Sequence, residues 1–228
     1  MSGTCLTAAL AALLIGTSVA AAQTVQDSGT SRIQDREFLL GVPDDALRRE
    51  PYFLPIDRVP WLWDLTQSDP LLSSVVVHVV ARPPNHVDLW TVDFVRSHSG
   101  PNRETFPGYK FSGQQSWSRS GSRPKDYFLL PAEEPYDFMA RCARSDVFPD
   151  ELSFCGVSIK YQPDNSLFIR ARVYSPEYYA DHGLAFAAMS QRLNAIVACL
   201  DVTDTPPEDR DLDATVRCVE EELASPRN

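Results

Sequence analysis

The stretch from Phe154 to Tyr174 constrains this chain most, because a turn and an alternating pattern inside it agree on one register. Gln162-Pro163-Asp164-Asn165-Ser166 reads as a three-residue hairpin loop, a type I turn plus bulge. Pro163 presets φ at the first turn position, Asp164 suits the second, and Asn165 tolerates a left-handed backbone. That closure sets Tyr161 opposite Leu167, Ile159 opposite Ile169, Val157 opposite Ala171 and Cys155 opposite Val173. These pairs are apolar and predict the core face. The other face pairs Lys160 with Phe168, Ser158 with Arg170 and Gly156 with Arg172. A slip of one residue would bury the arginines, so the pattern admits one register.

Further strands follow from composition. Ser73–Ala81 carries five valines, a β-branched run suited to a buried strand. Arg82–His86 reads as a turn, and Val87–Arg96 alternates as the return strand of a hairpin. Asp126–Leu130 and Tyr136–Arg144 predict two more strands. Then the period changes. Phe186, Met189, Leu193, Ile196 and Leu200 recur at spacings of three and four, the apolar stripe of a long helix. Asp211–Ala224 predicts a short helix with Leu212, Val216, Val219 and Leu223 inward. Strands first and helices last predict an α+β domain: an antiparallel sheet of about five to six strands, built of hairpins, with one long and one short C-terminal helix packed on one face.

The chain is expected to divide simply. Residues 1–22 lack charged side chains, are rich in Ala and Leu, and end in Ala20-Ala21-Ala22, the pattern of a signal peptide cleaved after Ala22. Residues 23–36 are polar and aperiodic and predict a flexible leader. Residues 37–228 are expected to form a single domain. Within it, Pro43, Pro51, Pro55, Pro60 and Pro70 predict an extended wrap anchored by Trp61 and Trp63. Residues 97–124, rich in Ser, Gly and Arg, predict a long loop, and 201–211 an acidic Pro linker.

Export shapes the reading of the cysteines. Cys5 leaves with the signal, and Cys142, Cys155, Cys199 and Cys218 remain. Four cysteines allow three connectivities, and spacing favours Cys142–Cys155 with Cys199–Cys218. The first bridge would close a ring of about 14 residues, worth about 3 kcal/mol in the loop-entropy picture. The exported part carries 21 basic and 31 acidic residues, a formal charge of −10. That balance opposes nucleic-acid binding, which needs phosphate neutralisation, and docking on anionic membranes. After signal cleavage no stable membrane insertion is expected, and the location is periplasmic or secreted.

The usual chemical motifs are missing. The sequence has no G-x-S-x-G, H-E-x-x-H, P-loop or G-x-G-x-x-G pattern. His78, His86, His98 and His182 are too dispersed to converge on a metal. No catalytic residue, cofactor or metal site is therefore expected. The one anomaly is basic. Arg170, Arg172, Lys160, Phe168 and Tyr174 share the outer sheet face, and Arg141 joins them if its strand pairs alongside. Guanidinium forks pair with carboxylate or phosphate, so this face is the candidate binding face for an anionic ligand or a protein partner in the envelope. The expectation is an exported, non-enzymatic binding module of inhibitor or immunity-like format. A polymer hydrolase using carboxylates of the 131–151 region and a structural envelope subunit are the alternatives.

Overall fold

In chain order the elements are β1 (Thr30–Ile33), β2 (Arg36–Leu39), α1 (Asp44–Leu47), β3 (Phe53–Leu54), α2 (Pro60–Gln67), β4 (Val75–Ala81), β5 (Ser99–Thr105), β6 (Ser112–Ser116), β7 (Asp126–Leu129), β8 (Phe138–Arg144), β9 (Leu152–Lys160), β10 (Leu167–Val173), α3 (Phe186–Leu200) and α4 (Leu212–Ala224). The computed structural model describes residues 29–47, 50, 52–73, 75–81, 99–105, 112–116, 126–129, 138–144, 152–164, 166–174 and 186–226.

The β9–β10 hairpin has the register its side chains demand. Lys160 pairs with Phe168, Ile159 with Ile169, Ser158 with Arg170, Val157 with Ala171, Gly156 with Arg172 and Cys155 with Val173. Tyr161 donates its amide to the Leu167 carbonyl at 3.1 Å. The turn itself differs from the expected type. The Asp164 amide donates to the Tyr161 carbonyl and the Leu167 amide donates to the Asp164 carbonyl, so two successive turns share Asp164. The Asp164 carboxylate also accepts from the Ser166 amide at 2.8 Å. Pro163 thus occupies the third position of its turn; the side-chain pattern, more than the turn type, holds the register.

The main sheet is antiparallel throughout, in the order β3-β4-β10-β9-β8-β7-β6-β5. Strands β3 to β8 in that order make the five-stranded part that bears the buried side chains, and β7, β6 and β5 continue it. Two of these extra strands correct the expectation of a long loop over 97–124, because 99–105 and 112–116 pair as β5 and β6. Ladder hydrogen bonds are made by the backbone, so a Ser- and Gln-rich segment can extend a sheet without an apolar pattern. Val87–Arg96, expected as the hairpin partner of β4, lies outside the described residues. Beside the expected turn, both flanks of β4 are occupied: Val79 and Val80 pair with Ile169 and Phe168 on one side and with Leu54 and Phe53 on the other.

One sheet face is packed by helices. Val77, Val79, Ala140, Val157, Ile159, Leu167, Ile169 and Ala171 are buried together with Phe186, Met189, Leu193, Ile196 and Leu200 of α3. Each of the larger side chains among these contributes about 1.5–3 kcal/mol when fully buried. Helix α4 lies against α3 and α2. Asp211 caps it by accepting from the Asp213 amide at 2.9 Å. Two disulfides are present, Cys142–Cys155 directly across β8 and β9, and Cys199–Cys218 between α3 and α4.

The N-terminal expectations need correction. Residues 30–36 belong to no flexible leader: β1 and β2 form a hairpin with Ile33 and Phe38 fully buried. Their strands are four residues each, too short to display a period. Residues 23–28 lie outside the described residues, as does the 1–22 segment. The Gly29 carbonyl accepts from the amides of Leu40 and Gly41 at 2.7 and 2.9 Å. Gly41 has φ of 69° and faces Leu212, so a side chain there meets both backbone strain and a clash. The Pro-rich 37–71 stretch is no extended wrap either. Pro60 opens α2 at its first position, where a missing N–H costs nothing. Trp61 is half-buried and donates its indole N–H to the Leu40 carbonyl at 2.8 Å, whereas Trp63 is exposed.

The acidic 201–211 segment is bound rather than free. The Val202 amide donates to the Glu37 carbonyl at 2.8 Å, and Asp201 bridges to Phe38. The Asp201 carboxylate accepts from the Tyr161 hydroxyl at 2.7 Å, from Arg36 at 3.2 Å and from the Thr203 hydroxyl. Arg210 pairs with Glu37. These bonds attach the β1–β2 hairpin to the end of α3 and to the β9–β10 turn.

Candidate basic face of the sheet

The outer face of the sheet is laid out by cross-strand register. One row runs Arg141, Gly156, Arg172 and Val76 across β8, β9, β10 and β4. The next runs Met139, Ser158, Arg170 and His78. A third runs Lys160, Phe168, Val80 and Phe53 over β9, β10, β4 and β3. The structure therefore brings Arg141, Lys160, Arg170 and Arg172 onto one face, on three adjacent strands.

These positions are not equally accessible. Arg141, Arg170 and Arg172 are exposed, and Lys160 is half-buried. Tyr174 is 55% exposed, with its ring 5.8 Å from that of Phe154. Phe168, expected to border the patch, is only 6% exposed and belongs to the buried apolar end with Val80. The face is consequently polar at its centre and aromatic at the Phe154–Tyr174 end.

Small residues form its floor. Gly156 stands between Arg141 and Arg172, and a Cβ built there meets its nearest atom, the Arg141 carbonyl oxygen, only at 4.0 Å. Ser158 is the next residue on the same face of β9, between Met139 and Arg170. A narrow trough floored by Gly156 and by Ser158, itself only 8% exposed, thus runs between the side chains of β8 and those of β10. The sequence register already placed Gly156 and Ser158 opposite the arginines, but the trough depends on β8 flanking β9.

The electrostatics are one-sided. Arg170 is held below the ordinary guanidinium range, first by partial burial of its charged group and then by the charge of Arg172. Among the described residues no carboxylate lies within ion-pair range of Arg170 or Arg172. The carboxylate of Asp57 serves His78 at 3.2 Å, and the His78 ring packs on Phe53 at 4.3 Å. Sequence reasoning missed Asp57 because it read the 37–71 stretch as extended, whereas a helical turn at Ile56–Arg58 presents the residue to β4.

This geometry can bind an anion but assembles no triad. Ser158 and His78 sit on strands separated by β10, about 9–10 Å apart at strand spacing, too far for a hydroxyl–imidazole hydrogen bond. Among the described residues no group of three metal-ligating side chains converges. His86, His98 and His182, and all of the 131–151 carboxylates, lie outside the described residues. Among the described residues, no helix is long and apolar enough to cross a membrane. No protein-family model matches the chain, and neither curated proteins nor solved structures give a significant match.

Proposed function

We propose that this chain is an exported, non-enzymatic binding protein of an envelope compartment that holds an acidic partner on the outer face of its sheet. The observation that carries this reading is the pair Arg170 and Arg172: two neighbouring exposed arginines with no carboxylate in pairing range among the described residues, on a chain of formal charge −10. Surface cations on an acidic molecule are ordinarily neutralised by nearby acids. Leaving two like charges adjacent costs free energy that an anionic ligand would recover. The uncharged, Ala-rich 1–22 segment and the two disulfides support export to an oxidising compartment.

The test is affinity capture from envelope extract under non-reducing conditions, with the mature chain beside an Arg170→Glu/Arg172→Glu version of unchanged circular dichroism. A stoichiometric partner held by the first and lost by the second is expected. A partner held equally by both would overturn the assignment to this face.

A further inference from the structure

The spacing of the basic residues specifies the ligand further than its charge, and this step rests on the binding role proposed above. Arg170 and Arg172 are two residues apart on one strand, so their side chains leave the same face about 6.6 Å apart. An extended peptide repeats its side chains at that same interval. Arg172 lies across from Gly156, where β9 offers no side chain, and Arg170 lies across from Ser158. We propose that the face receives an extended acidic segment of a partner protein, running along β10, with two carboxylates two residues apart. One carboxylate meets Arg170, and the other meets Arg172 with its chain seated over Gly156.

Other anions fit the observations less well. A single phosphate would have to draw two guanidiniums off strand spacing toward one centre. Nucleic acid and anionic membrane surfaces present extended negative charge, which a net charge of −10 opposes. A short acidic segment confines its charge to the patch. Arg141, on the opposite side of Gly156, closes the trough.

The probe is an acetylated, amidated peptide Thr-Glu-Thr-Glu-Thr, compared with its isomer Thr-Thr-Glu-Glu-Thr and with inorganic phosphate. Binding to the full exported chain is followed by amide chemical shifts at low ionic strength. The spaced peptide is expected to shift Gly156, Arg170 and Arg172 and to bind about fivefold more tightly than the isomer, the scale of one exposed ion pair. Gly156→Val leaves the charge unchanged, suits a strand and fills the trough, and is expected to weaken the spaced peptide about tenfold. Arg172→Gln, which keeps its Cβ and strand position, is expected to weaken the spaced peptide to the level of the isomer. Equal binding of the two isomers, phosphate binding as tight as the spaced peptide, or a Gly156→Val chain that binds as the parent does would each overturn the proposal. If one of these occurs while charge reversal still abolishes partner capture, the basic face stands as the binding surface and only the strand-matched acidic segment falls. If charge reversal leaves capture intact as well, both fall.

Discussion

At the scale of single residues, buried polar groups distant in sequence determine how the helices are held. Arg192 is 5% exposed, and its guanidinium donates to Asp69 at 2.9 Å, to the Leu223 carbonyl and to the Ser225 carbonyl at 2.8 Å. It neutralises Asp69, which in turn accepts from the Leu71 amide at 2.7 Å, and it places a cation at the C-terminal end of α4. Arg192→Met should leave the Asp69 charge buried without its partner and cost about 3–5 kcal/mol, read from chemical denaturation. Tyr161 offers a pH test. Its hydroxyl is pushed far above the ordinary tyrosine range, chiefly by burial and then by its hydrogen bond to Asp201. The unfolded chain releases this proton near pH 10 while the folded chain retains it, so the stabilisation is complete below about pH 10 and declines as pH rises above it. Tyr161→Phe should therefore lose stability less steeply than the parent between about pH 10 and 12, measured by denaturation at several pH values. Neither role was legible in the sequence. Arg192 reads there as one polar residue on a helix, and its carboxylate partner lies 123 positions away.

At the scale of elements, legibility follows length and locality. The α3 stripe, the β9–β10 register and both disulfides could be read because each depends on spacing within a short stretch of chain. The β1–β2 hairpin could not, because four-residue strands show no period and their partners Asp201, Thr203 and Arg210 come from the far end of the chain. Deleting residues 29–40 should therefore be severely destabilising, since it removes the buried Ile33, Phe38 and Leu40 and strips Asp201 and Tyr161 of Arg36. A protease-resistance assay on the truncated chain would show rapid digestion; a resistant fragment of parental stability would mean the hairpin is dispensable. Helix α4 presents a narrower buried face, mainly Thr215 and Val219, and leans on its disulfide. The Cys199→Ala/Cys218→Ala chain should lose about 2–4 kcal/mol, with amide exchange accelerated first in α4.

At the scale of the whole molecule, the distribution of charge matters more than its sum. Reversing Arg170 and Arg172 changes the formal charge by −4, from −10 to −14. Because both side chains are exposed and pair with no described carboxylate, the thermal midpoint should move by no more than a few degrees, about the scale of an ordinary surface change. A cooperative collapse on reversal would mean that these arginines serve the fold. The sequence by itself determined the α+β class, the pairing of β9 with β10 and the helical stripe, because local periodicity encodes them, and its cysteine spacing favoured the two bridges that form. It also placed Arg170 and Arg172 on an outward face, since alternation within one hairpin is enough for that. Only the tertiary structure decided that Arg141 flanks the same trough, that Phe168 is buried rather than presented, and that Asp57 meets His78. Those outcomes depend on which strands become neighbours, and strand order arises from contacts between segments that no local pattern connects.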